Sequence, residues 1–139
     1  MADSNVERVW ELFAAFNVGD LERAAALAHP DLVYFFPGRS PLAGEHHGVE
    51  GYARVLETAK RLTDGTIRLD PVAVAEEGDH VLVWGRLTAR RGDRSYDGWN
   101  AYVYRFVDGR MREGRTVPAD LYAFDAFWAD ASENTQLIK

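Results

Sequence analysis

Arg94-Ser-Tyr-Asp-Gly-Trp-Asn-Ala-Tyr-Val-Tyr-Arg-Phe-Val-Asp-Gly-Arg-Met-Arg-Glu-Gly-Arg-Thr-Val117 is the stretch that decides the fold of this chain. Its first half is rich in aromatic and branched residues, which predicts a long strand over Arg94–Val107. Asp108-Gly109 is a dipeptide typical of tight hairpin turns, so residues 110–117 are expected to return as a second strand. The stretch therefore predicts a long antiparallel hairpin.

The residues before this hairpin extend it into a larger sheet. Residues 66–75 and 80–90 each predict a strand, and the turns lie at residues 76–79 and 92–93. Four long strands joined by tight turns form an antiparallel meander, and strands of this length are expected to twist and curl. One face of such a sheet needs a cover of helices.

The N-terminal segment predicts the first of these helices. Ser4 is a suitable N-cap, and Glu7 completes a capping-box pattern three residues later. Apolar residues then recur at helical spacing and give the helix one buried face: Val6, Val9, Trp10, Phe13 and Phe16.

Two more helices and a strand follow before the meander. Asp20 predicts the N-cap of a helix over residues 21–28, which Pro30 ends. Residues 31–36 predict a short strand, and the glycines and prolines of residues 37–44 predict a loop. A third helix is expected over residues 49–62. The predicted fold is thus α+β: one cone-shaped domain over residues 1–139, with a strongly curved, mostly antiparallel sheet wrapped around three N-terminal-side helices. Its ordered core is expected over residues 6–128 and its tail over 129–139.

Composition and charge exclude several classes of protein. The 139 residues carry a net charge of -6, whereas nucleic-acid binders normally present a basic surface. The absence of cysteine excludes disulfides and thiolate metal sites. The N-terminus does not resemble a signal peptide, and no apolar stretch reaches the roughly 20 residues of a membrane helix. We therefore expect a cytoplasmic protein with no membrane or nucleic-acid partner.

A curved sheet covered by helices encloses an interior that can hold a small hydrophobic molecule. The chain has many aromatic residues to line it, and Tyr and Trp prefer a polar partner when buried. The alternative is that these side chains simply fill a core, and the sequence does not decide which face of each strand points inward. The candidate ligand-binding residues are Trp10, Phe13, Tyr34, Phe36, Tyr52, Trp84, Asn100 and Tyr102.

Polar candidates for catalysis are few. Arg86 and Arg115 are the basic residues most expected to reach the interior, although strand arginines also often face solvent. His47, ahead of the third helix, is a candidate for the pocket mouth, and a surface position is the alternative. No metal-ligand spacing, nucleotide motif or nucleophile elbow is present, so we expect no metal and no cofactor. Any reaction would depend on proton transfer, elimination or addition of water by positioned side chains.

Residues 118–128, Pro-Ala-Asp-Leu-Tyr-Ala-Phe-Asp-Ala-Phe-Trp, place two carboxylates among aromatic side chains. Aromatic neighbours exclude water and raise the pKa of a carboxylate, which suits it to general acid/base catalysis. Asp120 directly follows the last strand and is the candidate catalytic residue. Asp125 is expected to cap or to face solvent, and both are ordinary surface aspartates in the alternative interpretation.

Three segments of the chain resemble a known family. They are Phe36-Pro-Gly-Arg-Ser-Pro-Leu-Ala-Gly-Glu-His-His-Gly48, Val107-Asp-Gly-Arg-Met-Arg-Glu113 and Asp120-Leu-Tyr-Ala-Phe-Asp-Ala-Phe-Trp128. Together with the order of elements, they are similar to the SnoaL-like and ketosteroid-isomerase-like group of the nuclear transport factor 2-like fold. The resemblance extends from about Val6 to Trp128.

The resemblance implies a cone-shaped domain with an apolar pocket, usually a homodimer formed through the sheet. Enzymes of the group are isomerases, dehydratases, epoxide hydrolases and polyketide cyclases that use no cofactor. SnoaL-type cyclases use an aspartate after the final strand as acid/base, which corresponds to Asp120. The steroid-isomerase pattern is not met, because Asn17 stands where that pattern has a Tyr and Tyr34 where an acid is expected.

Three functional hypotheses follow. The first is a cofactor-independent isomerase, cyclase, dehydratase or hydrolase acting on a small hydrophobic substrate, with Asp120 as acid/base. Tyr102, Asn100, Arg86 or His47 would stabilise an enolate or position water. The second is a non-catalytic binder of an apolar ligand, and the third is a dimeric interaction module with a packed interior.

Overall fold

The computed structural model describes residues 4–130. Residues 131–139 of the expected tail lie outside the described residues. The elements in chain order are α1 (Asn5–Asn17), α2 (Leu21–Ala25), β1 (Ala28–Phe36), β2 (Gly44–His47), α3 (Gly48–Leu62), β3 (Arg68–Glu77), β4 (His80–Arg91), β5 (Arg94–Val107), β6 (Arg110–Pro118) and α4 (Leu121–Trp128).

The six strands form one open sheet in the order β2-β1-β6-β5-β4-β3. The meander over β3 to β6 is confirmed, and β1 joins it by pairing parallel with β6. Asp108 and Gly109 both have positive φ, of 52° and 76°, as the two central residues of a type I′ turn require. The expected α+β class is therefore correct.

Helices α1 and α3 pack against this sheet. Ser4 caps α1 by accepting a hydrogen bond from the Glu7 N–H at 3.1 Å, as the sequence pattern predicts. Helix α2 is shorter than expected, because the Leu27 carbonyl accepts a bond from the N–H of Met111 and Ala28 already pairs with that residue in the sheet. Sheet pairing thus ends α2 early. No helix within residues 4–130 has the length and apolar character needed to cross a membrane.

Two elements were not predicted from the sequence. Strand β2 is four residues long and mostly exposed, so it lacks the apolar alternation that reveals a strand, and its pairing with β1 defines it. Helix α4 follows the meander, where only a closing segment was expected. Asp120 caps it by accepting a hydrogen bond from the Ala123 N–H at 3.1 Å.

The burial pattern decides which strand faces point inward. In β4, Val81, Val83 and Leu87 are buried, whereas the alternate residues face outward. In β5 the buried residues are Tyr96, Asn100, Tyr102, Tyr104 and Phe106. The inner face of β5 therefore carries three tyrosines and an asparagine, which is unusually polar for a core strand.

Candidate active site

A mostly apolar cavity of about 60 Å³ lies between the sheet, α1, α3 and α4. Counting all the space between its lining atoms out to solvent, the recess measures about 460 Å³. An engineered cavity of roughly 150 Å³ is needed to hold benzene, so the closed cavity is too small for a dozen-atom ligand. Its lining residues are Phe16, Tyr34, Phe36, Tyr52, Val55, Leu56, Ala59, Ile67, Leu69, Leu87, Tyr102, Thr116, Phe124 and Trp128.

The first polar pair in this lining is Tyr34 on β1 and Thr116 on β6, whose hydroxyls are hydrogen-bonded. Tyr34 pairs with Gly114 across the two strands. A Cβ at Gly114 would lie 2.8 Å from the Tyr34 ring, so only glycine leaves room for the ring to lie over β6. The phenol then reaches Thr116, two residues further along. Gly114 is thus what positions this pair.

A second polar group runs along β5. The Tyr96 hydroxyl donates to the Oδ1 of Asn100 at 3.0 Å, and the Nδ2 of Asn100 donates to the Tyr102 hydroxyl oxygen at 3.1 Å. Gly98 again provides the space, since a Cβ there would lie 2.6 Å from the Tyr96 hydroxyl. Because the Tyr102 oxygen accepts in this chain, its own proton is left to donate. That phenol lines the cavity.

The buried phenols are neutral at physiological pH. Burial raises the pKa of Tyr34 to about 12, although the hydrogen bond with Thr116 opposes this increase. Burial also raises the pKa of Tyr52, Tyr102 and Tyr104 well above the usual value, and the neighbouring phenols add to this effect. A neutral phenol donates a hydrogen bond, so these side chains can stabilise negative charge on a ligand oxygen.

Helix α4 forms the remaining wall through Phe124 and Trp128. Both rings are buried and contact Phe36, with centroid separations of 5.4 and 6.1 Å. The C-terminal end of α4 is held by Arg91, whose Nη1 donates to the Phe127 carbonyl at 2.5 Å. Arg94 binds the Ala129 carbonyl at the same distance. The helix closes the cavity as a separately anchored element.

Asp125 fastens α4 to the loop after β1. Its Oδ1 accepts the backbone N–H groups of Arg39 at 2.8 Å and of Ser40 at 3.0 Å. Gly38 permits this approach, because its φ is +95° and a Cβ would overlap the Asp125 carboxylate. Asp125 therefore caps backbone N–H groups of the loop after β1, in agreement with its expected capping role. We call its hydrogen bonds with the Arg39 and Ser40 N–H groups the latch.

Asp120 lies at the exposed N-terminus of α4, outside the cavity lining. Its carboxylate nevertheless acts on the polar group of β5, since burial and then the charge of Asp120 raise the pKa of Tyr96. Tyr96 in turn bonds Asn100, which bonds Tyr102. Asp120 therefore acts electrostatically on Tyr96, the first residue of this hydrogen-bonded chain.

The structure distributes the other predicted binding residues among different places. Tyr34, Phe36, Tyr52 and Tyr102 line the cavity together. Phe13 and Asn100 are buried beside it: the Phe13 ring lies 5.5 Å from the Tyr102 ring, and Asn100 is fully buried. Trp10 is 45% exposed and lies with Phe13 in a surface groove between α1 and β3.

Three expected interior residues lie outside. Trp84 and Arg86 occupy the outward positions of β4, where Trp84 stacks on Trp99 and Arg86 pairs with Asp97 at 2.5 Å. Placing them in the pocket was wrong, because Val83 and Leu87 take the inward positions. Arg115 also faces outward, over the Phe35 ring.

His47 is exposed at the junction of β2 and α3, and its Nε2 lies 3.4 Å from the Oε1 of Glu45. It does not line the cavity, so its expected place at the pocket mouth is not what the structure shows. The neighbouring His46 is half-buried and contacts the Leu42 carbonyl at 2.7 Å. Neither histidine is among the residues that line the cavity.

Sequence reasoning missed Tyr96, Thr116, Phe124 and Trp128 as site residues. A signal was available for two of them, because Gly98 and Gly114 are strand-interior glycines, which often mark a close approach of another group. Tyr96 and Thr116 each lie two residues from such a glycine, on the same strand face. The α4 residues gave no comparable signal, since their burial depends on how the helix docks.

Comparisons with known proteins agree with this fold. Residues 9–114 match the sequence model of the SnoaL-like domain family. The chain is 32% identical over 129 residues to the uncharacterized protein Rv0034 of Mycobacterium tuberculosis, covering 91% of this chain and 98% of that protein. It is 27% identical over 116 residues to the nogalonic acid methyl ester cyclase of Streptomyces nogalater, covering 77% and 84%.

Among solved structures, Bal32a from a soil-derived mobile gene cassette is similar, with a TM-score of 0.86 and 35% identity over 89% of this chain and 95% of that one. The expected family and fold are confirmed by these matches. The family match covers most of the sheet, most of α1, and all of α2 and α3. The chain belongs to the SnoaL-like domain family, which includes polyketide cyclases.

Proposed function

We propose that this protein is a cofactor-independent enzyme of the cyclase or isomerase type, acting on a small hydrophobic substrate that carries a carbonyl group. One observation carries the proposal: the Tyr102 hydroxyl lines an apolar cavity while Asn100 occupies its oxygen and leaves its proton to donate. A carbonyl oxygen is the complementary acceptor. An apolar wall with a few convergent donors is the usual composition of a small-molecule site.

The proposed reaction removes a proton from the carbon next to the carbonyl. The electron pair of the C–H bond forms the enolate, whose oxygen takes the negative charge and accepts hydrogen bonds from Tyr102 and Tyr34. The raised pKa of both phenols keeps them protonated, so they donate throughout. One well-placed donor of this kind contributes about 3 kcal/mol to the transition state. The enolate then closes a ring or regains a proton at another atom.

We propose Asp120 as the base that takes this proton. Two observations support this assignment. Asp120 directly follows the last strand, and its charge raises the pKa of Tyr96, which begins the chain of hydrogen bonds to Tyr102. His47 and Arg86 have no part in this proposal, because His47 is exposed beside Glu45 and Arg86 pairs with Asp97 on the outer face of the sheet. Asp120 caps α4, so movement of that helix would also carry the carboxylate.

We propose that α4 moves when substrate binds. The cavity of about 60 Å³ is too small for the proposed ligand, so one of its walls has to shift to admit it. The S. nogalater relative is named for an ester, and an ester also carries an acceptor carbonyl oxygen. The same chemistry would suit this chain.

Non-catalytic binding is the second candidate function. It is favoured by the lining itself, whose described residues include no carboxylate, imidazole or amine. The small closed volume favours the third hypothesis, a packed interaction module. These alternatives predict different outcomes in a single experiment.

The experiment uses 1-tetralone, a bicyclic ketone with exchangeable protons beside its carbonyl, in D2O. Loss of the α-proton signals in proton NMR at a rate above that of buffer, proportional to protein concentration, would support the enzyme. Binding without faster exchange would favour the non-catalytic binder. Absence of binding would favour a packed interior and overturn the proposal.

We also propose that the protein is a homodimer formed through the outer face of its sheet. This face exposes an apolar patch, defined as Leu82, Trp84, Trp99 and Val117, in which the two indoles stack with ring centroids 5.7 Å apart. Exposed apolar patches on sheets commonly mark interfaces. Contact with a second copy would bury the patch and leave α4 and the cavity free.

A further inference from the structure

Trp128 has a buried polar atom that the protein does not satisfy. The side chain is 1% exposed, and its Nε1–H has no hydrogen-bond partner. Among the buried side-chain nitrogens and oxygens of residues 4–130, the Nε1 of Trp128 is the atom without a hydrogen-bond partner. A buried donor without an acceptor is unfavourable, and such groups in native proteins require an explanation.

The packing neighbours of Trp128 supply no acceptor for this proton. Trp128 contacts Phe36, Phe124 and Phe127, all edge-on and all aromatic. The indole also lines the cavity that holds the Tyr102 and Tyr34 phenols. The indole ring that carries this unused donor therefore forms part of the cavity wall.

We propose that the Nε1–H of Trp128 is a ligand-binding donor, which selects substrates carrying an acceptor oxygen on the side that faces α4. The inference rests on the proposed function and makes it more specific. Tyr34 and Tyr102 belong to the sheet, whereas Trp128 belongs to the helix. Donors on two different walls match an apolar ring compound with two carbonyl or ester oxygens, such as a quinone or a keto ester.

The inference also gives α4 a role in recognition. Trp128 lies on α4, the wall that is proposed to move on substrate binding, so its bond to the ligand would form when the helix packs on the ligand. Arg91 and Arg94 fix the same end of α4 through the Phe127 and Ala129 carbonyls. The indole is thus held at a fixed place in the closed state.

The test compares 1,4-naphthoquinone, which has two acceptor oxygens, with naphthalene, which has none. The chain has no cysteine, so the quinone cannot form a thiol adduct. Binding is followed through the indole N–H signals of the 4 tryptophans in ¹⁵N-labelled wild-type protein. Trp128→Phe assigns one signal, and Trp99→Phe is the matched control on the outer face.

We expect the quinone to move the Trp128 indole signal downfield and naphthalene to leave it near its starting position. Trp128→Phe should weaken quinone binding about fivefold to tenfold more than it weakens naphthalene binding, which is the value of one hydrogen bond. Trp99→Phe should change neither affinity.

Two results would overturn the inference and are distinguishable. Equal quinone affinity in wild type and Trp128→Phe, with an unmoved indole signal, removes the role of Trp128 and leaves the proposed cavity site intact. If wild type binds neither probe, the proposed function fails together with the inference. The signal shift is read on wild-type protein, so the test does not depend on the variant folding.

Discussion

The hydroxyl of Tyr96 donates a 3.0 Å hydrogen bond to the Oδ1 of Asn100, four residues further along the same strand. Side chains two apart share a strand face, so the phenol must pass over residue 98 to reach its partner. Gly98 makes this possible, and Gly114 does the same for Tyr34 and Thr116. Two strand glycines therefore organise the polar groups of the site.

The first prediction concerns this glycine. Gly98→Ala should destabilise the protein by about 1–3 kcal/mol, because the new Cβ overlaps the Tyr96 hydroxyl in a packed interior. The free energy of unfolding is measured in urea. In a Tyr96→Ala background the same substitution should cost far less, and an equal cost in both backgrounds would contradict the account.

The second prediction separates the catalytic role of Asp120 from its capping role. Asn is as good an N-cap as Asp, so Asp120→Asn should preserve α4 and stability while lowering 1-tetralone exchange at least a hundredfold. Asp20→Asn, at the N-cap of α2, is the matched control and should leave exchange unchanged. Full exchange activity in Asp120→Asn would exclude this residue as the base.

The third prediction tests the latch. Asp125→Ala removes the acceptor of the Arg39 and Ser40 N–H groups and should destabilise the protein by about 1–2 kcal/mol. Hydrogen exchange of α4 amides should accelerate, since the helix loses its attachment to the loop. Asp125→Asn keeps an acceptor oxygen and should show a smaller effect. Unchanged α4 exchange in Asp125→Ala would show that the latch does not hold the helix.

The fourth prediction concerns alkaline pH. Folding raises the pKa of Tyr34 from 10.0 to about 12, so the folded state binds this proton more tightly than the unfolded state. The associated stability, about 2–3 kcal/mol, is fully present below pH 10 and is lost as pH rises through 12. Urea unfolding from pH 8 upward measures the loss. The Tyr34→Phe variant should lose less of its free energy of unfolding over this pH range. A free energy of unfolding that stays constant through pH 12 would contradict burial of the phenol.

The fifth prediction concerns assembly. Light scattering should give twice the chain mass of 15.6 kDa for wild type. Trp84→Glu places a charge in the apolar patch and should give the monomer, whereas Trp10→Glu, at a similarly exposed tryptophan on α1, should remain dimeric. A wild-type monomer, or a dimeric Trp84→Glu variant, would exclude this interface.

Much of the fold was predictable because local signals determine it. Ser4 and Glu7 define the start of α1, and Asp108-Gly109 defines the last hairpin. Elements that depend on tertiary contacts were not predictable. The pairing of β2 with β1 and the early end of α2 result from partners distant in sequence.

The site was predictable only in part for the same reason. Tyr34 and Tyr102 were chosen as aromatic residues on strands, and the structure places both in the lining. Trp84 and Arg86 were chosen on equal grounds, but the inward face of β4 is decided by Val83 and Leu87. When polar and apolar residues do not alternate cleanly along a strand, the sequence does not show which face of the strand points inward.

The central claim is that buried phenols donate hydrogen bonds to a substrate carbonyl, and the carbon NMR shift of that carbonyl tests it directly. 1-Tetralone labelled with ¹³C at the carbonyl is added to wild type and to Tyr102→Phe. We expect the ¹³C signal of the bound carbonyl to move downfield in wild type and to move less in Tyr102→Phe. If the bound carbonyl has the chemical shift that it shows in an apolar solvent, and the same shift in both proteins, the phenols do not donate hydrogen bonds to it.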